Sequence, residues 1–380
     1  MSEELAGLTV GLIGAGNISH VHVAAWKAVG ARVLVYSLEG AEELAEEYGL
    51  EVVPSLDELL ATEVEFVDIV TPSATHKEIT LAAIKAGKNV ICEKPLTLTA
   101  ADSHEVIDAA NAAGVRLYPA HVVRFFPAYK AAYDAIQAGR IGEVAVARFY
   151  RQASSPAGAG WYRDVAHSGG VIMDLMVHDL DQARWLCGEV TTVYAAQNPP
   201  TVDGISPVNV AAHVTLTHES GAISHCRATW GATGTTFQTG FKIAGSSGVL
   251  KFASDADTGY KEELQDSGGG DLLIPSSLGE SPYLTQLREL AIGLRGGPEP
   301  RVVASVTLRC RARGRFLRIR AISAARTSPT RRRRHRQAPL PRYAGSRLPA
   351  SAPTRSGVLR GQRRPLGSGD YPPSSTLALP

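Results

Sequence analysis

An α/β Rossmann domain, then an α+β domain with an open, mostly antiparallel sheet, then a disordered basic tail: this is the fold class that the 380-residue sequence predicts. Three observations carry it. A short apolar run ends in a glycine turn that opens a helical stretch within Leu8–Ala28. Short β-rich runs then alternate with helical ones to about residue 120, and beyond about residue 140 the pattern changes to strict two-residue alternation. The first rhythm implies a parallel sheet covered on both faces; the second implies a sheet with one buried face.

In the first half, strands are expected at Leu8–Ile13, Ala31–Tyr36, Val52–Val53, Phe66–Val70, Asn89–Cys92 and Val115–Pro119. Aliphatic and β-branched residues dominate these runs, as burial on both faces requires. Helical spacing fills the gaps at His20–Ala28, Ala41–Tyr48, Leu56–Leu60, Thr75–Ala86 and Ala100–Ala113. About six strands is the usual complement of a dinucleotide-binding sheet, so the first domain is set at 1–125. After a helix at Ala128–Ala138, the runs Glu143–Gln152, Thr191–Gln197, Val208–Thr217, Ala222–Trp230, Thr236–Ala244 and Gly248–Phe252 alternate apolar and polar residues. A single helix at Val171–Leu186 and another at Tyr283–Leu294 complete a second domain, 126–303.

The formal charge of +2 is a cancellation. Residues 1–301 hold 21 Lys plus Arg against 36 Asp plus Glu, a balance of −15; residues 302–380 hold 18 Arg, no Lys and one acid, Asp370, a balance of +17. An Arg-, Pro- and Ser-rich segment without apolar period reads as a disordered tail over 304–380. The same residue types arise when GC-rich codons are read out of frame, so a frameshift near residues 302–306 is expected; the rival is a genuine arm that binds nucleic acid or acidic surfaces. The acidic body itself argues against nucleic acid as a partner. No apolar run approaches the roughly 20 residues that span a bilayer. The start Met1-Ser2-Glu3-Glu4 lacks the features of a signal peptide, so a cytoplasmic location without membrane contact is expected. Cys92, Cys187, Cys226 and Cys310 are far apart and form no C-x-x-C pair, so reduced thiols are expected, with neither disulfide nor zinc module.

Gly14-Ala15-Gly16-Asn17-Ile18-Ser19 lies between a strand and a helix, the geometry of a phosphate turn. Gly14 permits the tight turn, Gly16 lets backbone approach a pyrophosphate, and the helix N-terminus offers free N–H groups; Ser19 replaces the usual third glycine. The second strand ends in Ser37-Leu38-Glu39 rather than in the acid that normally binds the adenosine ribose of NAD. Yet residues 33–50 hold five Glu and no Lys or Arg to pair a 2′-phosphate, so NAD is favoured over NADP, with Ser37 or Glu39 at the ribose. Thr71-Pro72 and Glu93-Lys94-Pro95 follow the fourth and fifth strands, where ligands of open α/β sheets bind. Asp174 and His178 stand four apart, sharing one face of an expected helix, either as a structural hydrogen bond or as a pair converging on one ligand. Two such residues are too few for a metal, and none is expected.

Together, Gly14 to Ile18, Thr71-Pro72-Ser73-Ala74-Thr75-His76, Glu93-Lys94-Pro95, Arg140-Ile141-Gly142-Glu143 and Gly169-Gly170 to Asp174 and His178 resemble the glucose-fructose oxidoreductase, inositol dehydrogenase and rhizopine catabolism (Gfo/Idh/MocA) family. The resemblance runs from about residue 8 to residue 303, and His178-Asp179-x-Asp181 looks most like the inositol dehydrogenase branch. It implies NAD or NADP at Gly14, Gly16, Asn17, Ile18, Ser37, Thr71, Pro72, His76, Glu93 and Lys94. It also implies a cis peptide before Pro95, oligomers through the second sheet, and a substrate site lined by Lys94, Asp174 and His178. After Val302 the family's Ala/Leu-rich return helix has no counterpart in the sequence.

Oxidation of a secondary alcohol needs a base for the hydroxyl proton while hydride leaves carbon. A largely neutral His178 suits that base, with Asp174 orienting its ring and Lys94 stabilising the charge on oxygen. His121, Arg124, Trp161 and Arg163 are candidate contacts for the hydroxyls of a cyclitol, sugar or sugar derivative. Two alternatives stay open: a non-catalytic cofactor or sugar sensor on the same fold, and nucleic-acid binding through the tail.

Overall fold

The structure, a computed structural model, describes residues 5–156, 160–256, 261–264 and 280–304, with 261–264 as backbone only. The expected tail beyond Ala304, with Cys310, lies outside the described residues, as do residues 305 and 306 of the expected frameshift position. Six strands, β1 (Thr9–Ile13), β2 (Arg32–Tyr36), β3 (Glu51–Val52), β4 (Phe66–Ile69), β5 (Asn89–Glu93) and β6 (Leu117–Ala120), pair in parallel in the order β3-β2-β1-β4-β5-β6. Helices α1 (Asn17–Ala28), α2 (Ala41–Tyr48), α3 (Leu56–Ala61), α4 (His76–Lys85) and α5 (Ala100–Ala113) connect them, making a Rossmann-type sheet. Strand order reverses beside β1 and β4, which places a ligand crevice at their carboxyl ends.

Capping chemistry explains where helices begin and end. Ser19 N–H donates to Gly16 O, so α1 starts at Asn17 rather than at His20. Ser55 Oγ accepts from Glu58 N–H and opens α3. Gly114 stands in the left-handed region at φ +68° and Val115 N–H reaches back to Ala110 O. Val115 is thereby spent on the cap of α5, and β6 begins two residues later than expected.

The second sheet has the order β13-β12-β11-β7-β10-β9-β8. Its strands are β7 (Val144–Ser154), β8 (Val190–Asn198), β9 (Val210–His218), β10 (Ile223–Gly231), β11 (Gln238–Gly245), β12 (Gly248–Ala253) and β13 (Lys261–Leu264). Only the β7–β10 pair is parallel. Cross-strand partners share a face. The row Val193, Leu216, Ser224, Ala147, Ile243, Leu250 turns inward, and the adjacent row Tyr194, Thr215, His225, Arg148, Lys242, Lys251 lies on the opposite face. Residues of α6 (Pro127–Gln137) and α8 (Val177–Cys187) join the inner row in one core. Charged β13 pairs at the sheet edge and carries no alternation signal, so the sequence did not reveal it.

Two departures bear on the site. The single helix expected at Val171–Leu186 is instead a π-helical turn, Ile172–Met176, followed by α8; a short helix α7 (Val165–Ser168) precedes it. And α9 (Pro282–Leu294), read along the sequence with the second domain, buries Leu287, Leu290, Ala291 and Leu294 in one core with Val10, Leu12 and Trp26 of the first sheet layer. No helix among the described residues is long and apolar enough to cross a membrane. Cys92, Cys187 and Cys226 are free and buried.

Candidate active site

The carboxyl ends of β1, β4, β5 and β6 carry the glycine turn, Thr71-Pro72, Glu93-Lys94 and His121 respectively. At Gly14, φ is +113° and a Cβ would stand 3.0 Å from the Val70 carbonyl carbon and oxygen, so only glycine fits without strain. Gly16 precedes α1, whose N-terminus has no side-chain cap, and a Cβ there would meet nothing within 4 Å. Exposed Asn17 and half-buried Ile18 continue this free helix start. Backbone that is tight behind and open in front fits a pyrophosphate. Ser37 and Glu39 follow β2 at the same edge, beside Glu42 and Glu43 in the first turn of α2.

His76 ties two of these turns together. Its Nδ1 lies 2.8 Å from Pro95 O and its Nε2 2.9 Å from Thr71 O, which fixes the Thr71-Pro72 turn against the cis Lys94–Pro95 peptide. Beneath them runs a buried polar chain that the sequence reading passed over. His22 Nδ1 is 2.8 Å from Asp68 Oδ2, Trp26 Nε1–H donates to the same oxygen at 2.7 Å, and His22 Nε2 is 3.3 Å from Glu93 Oε1. An Asp inside the apolar run Phe66 to Val70 was the signal that could have found it.

Lys94 and Asp174 come together, and Asp174 and His178 do not. Lys94 Nζ donates to Asp174 O at 2.9 Å and stands 3.5 Å from Asp174 Oδ1. The π turn takes Asp174 out of α-helical phase with His178. Nδ1 of His178 is buried with no hydrogen-bond partner among the described residues. The expected role of Asp174 in orienting that ring is therefore corrected: its partner is Lys94. Gly169 and Gly170, at φ +73° and +69°, lead into the turn; Ser168 Oγ donates to Tyr162 O at 2.6 Å and accepts from Gly170 N–H at 2.9 Å. This anchors Trp161, stacked on Tyr162 at 3.8 Å, and Arg163, whose Nε donates to Ser206 O.

Arg124 is a second correction. It is 2 % exposed, donates to both oxygens of Asp181 (2.8 and 2.6 Å) and to Arg301 O (2.8 Å), and packs over the Trp185 ring. It is a structural ion pair rather than a group presented to a sugar. His121 is buried with Nδ1 3.9 Å from Asp181 Oδ2, too far for a hydrogen bond.

Burial dominates the electrostatics. It pushes His178 well below the ordinary imidazole value, helped by Lys94, Arg151 and His121, and it also lowers His121 and His76. Burial would lower His22 too, but Asp68 and Glu93 on either side outweigh it and hold the ring at about 10. The signs give a stability profile. His76, His121 and His178 are neutral when folded, so their contribution is present above about pH 6.5 and lost as pH falls. That of His22 is full below about pH 6.5 and lost as pH rises towards about 10. The urea midpoint is thus expected to peak near neutrality and fall on both sides; a midpoint flat from pH 5 to 9 would contradict these burials.

Residues 8–121 match the family described as "Oxidoreductase family, NAD-binding Rossmann fold", and residues 129–251 match the "GFO/IDH/MocA C-terminal domain". A 1,5-anhydro-D-fructose reductase of Ensifer adhaerens is 36 % identical over 249 residues, covering 63 % of this chain and 74 % of the relative. A myo-inositol 2-dehydrogenase of Thermotoga maritima is 28 % identical over 311 residues, 78 % of this chain and 90 % of the relative. The crystal structure of GenD2 from gentamicin A biosynthesis, in complex with NAD, superposes with a TM-score of 0.69 at 25 % identity, covering 81 % of this chain and 92 % of that one. With a Rossmann crevice, a lysine and a neutral histidine at its mouth, and both halves matched, the chain belongs to the Gfo/Idh/MocA family of NAD(P)-dependent oxidoreductases.

Proposed function

We propose that the chain oxidises a secondary alcohol of a cyclitol, sugar or sugar derivative, or reduces the matching ketone, with NAD as the preferred cofactor. The observation that carries the reading is Lys94 at the end of β5, held by Asp174 next to a half-buried His178 whose imidazole desolvation keeps neutral. NAD, when bound, supplies the hydride acceptor. Gly14, Gly16, Asn17 and Ile18 would hold its phosphates, Ser37 or Glu39 its adenosine ribose, and Thr71, Pro72, His76, Glu93 and Lys94 its far end.

His178 accepts the hydroxyl proton. A ring kept neutral by desolvation is ready for this across physiological pH. Lys94 donates to the same oxygen and stabilises its developing charge, while Asp174 fixes where the ammonium stands. His121, Trp161 and Arg163 face the remaining hydroxyls. A homo-oligomer through the second sheet is also proposed, supported by Tyr194 and Ile223, 61 % and 38 % exposed on its strands.

The test is NADH formation across a panel of polyols and sugars. Turnover on at least one is expected, with kcat/KM for NAD at least about tenfold that for NADP, because a 2′-phosphate would meet Glu39, Glu42 and Glu43 without a cation; tenfold corresponds to about 1.4 kcal/mol. Cofactor binding without turnover on any of them would favour a sensor.

A further inference from the structure

The first layer contains a charged cluster whose inner members, His22 and Asp68, no part of the proposed chemistry uses. His22 and Asp68 are fully buried and Glu93 is 7 % exposed, beside a strand and helix core of apolar residues. Ionised groups are costly in such a place, and well-packed apolar residues of similar size would hold a core together at least as well. The cluster also has a direction. Asp68 on β4 anchors His22 on α1 at 2.8 Å, helped by the Trp26 indole. On its other side the ring's Nε2 makes an ion-pair contact with Glu93 Oε1 at 3.3 Å, without hydrogen-bond geometry, and Glu93 Oε2 accepts from Lys94 N–H at 3.0 Å. The next link is Lys94 Nζ on Asp174.

We propose that Asp68, His22 and Glu93 form a buried positioning relay, in which the ring, hydrogen-bonded to Asp68 and ion-paired with Glu93, holds Glu93 under the Lys94 amide and so sets where the Lys94 ammonium meets substrate. This rests on the dehydrogenase reading of the site. His22 is a positioning residue, since it touches neither cofactor nor substrate. The charged and titratable groups facing the cluster are Lys94, Tyr283 from α9, with ring centroids 6.1 Å from His22, the buried Cys92 thiol on β5, which feels both carboxylates, and His76, His121 and Tyr162, which feel the Glu93 charge. Burial alone would raise the Glu93 carboxyl; His22, followed by Lys94, brings it below its ordinary value. Without the imidazolium, burial is opposed by Lys94 alone, so the Glu93 carboxyl rises, and a protonated Glu93 loses its fixed geometry.

Two measurements on the full chain test this. In ¹⁵N-histidine NMR, the His22 ring, assigned by its loss in H22Q or its shift in D68N, is expected to remain an imidazolium at pH 8.5. A neutral ring at that pH overturns the relay, whatever the protein's activity. In the pH profile of kcat, H22Q and D68N are expected to move the acid limb up by at least about one unit with KM for NAD little changed, and adding E93Q is expected to abolish the shift. Variants that are merely less stable, with a profile superimposable on that of the wild type, overturn it. Absence of any wild-type turnover with the polyol and sugar panel defeats the dehydrogenase reading instead, and the NMR result distinguishes that failure from failure of the relay.

Discussion

Lys94→Ala is expected to lower kcat by about 10²–10³-fold, the typical cost of removing one donor aimed at a developing oxyanion. Nζ already stands where such a donor is needed: 2.9 Å from Asp174 O, only partly exposed, and at the end of β5 where the crevice opens. Lys94→Arg should rescue little, because a planar guanidinium cannot occupy the place of a compact ammonium between the carbonyl and carboxylate of Asp174. His178→Ala removes the proton acceptor and is expected to cost about 10²–10⁴-fold. Both losses should fall on kcat, with NADH affinity, read by fluorescence, changed by less than about tenfold, since the glycine turn and α1 are untouched. Turnover that survives both substitutions would remove Lys94 and His178 from the chemistry. Because His178 is held neutral by burial, the acid limb of the wild-type profile should lie below about pH 6.5.

The parts of this site that were legible in the sequence are those in which backbone geometry selects the residue. Gly14 must be glycine because a Cβ would strike the Val70 carbonyl, and a strand-turn-helix pattern around two glycines says so without coordinates. Lys94 was legible because a strand end in an open parallel sheet is a ligand position whatever the side chain. What the sequence hid was tertiary. Asp174 and His178 read as neighbours on the assumption of an α-helix, and the π turn at Ile172–Met176 has no composition signature. Arg124 read as a sugar contact because nothing local reveals that its carboxylate lies 57 residues away at Asp181. His22 and Asp68 sit within helical and strand periodicity and looked like part of it. The Tyr283 ring is brought beside His22 only because α9 returns to the first layer.

The Arg124 correction carries its own large effect. Asp181→Ala would leave a guanidinium buried with two of its donor contacts removed, and breaking such a pair typically costs about 3–5 kcal/mol. The loss should be visible as a lowered urea midpoint at unchanged slope. Replacing both partners by apolar residues, Arg124→Met with Asp181→Leu, removes the buried charge altogether and is expected to recover most of that loss, since desolvation of the pair consumes much of its attraction. The recovery should be incomplete. Arg124 also donates to Arg301 O, while Arg301 itself pairs with Glu289 of α9 and stacks on Phe125, so the guanidinium helps to seat the chain leaving that helix. A sugar-binding arginine would behave in the opposite way: Arg124→Met would leave the midpoint near that of the wild type and raise KM for substrate by tenfold or more. A normal KM measured on the folded fraction, together with a lowered midpoint, is the outcome that the Asp181 geometry requires.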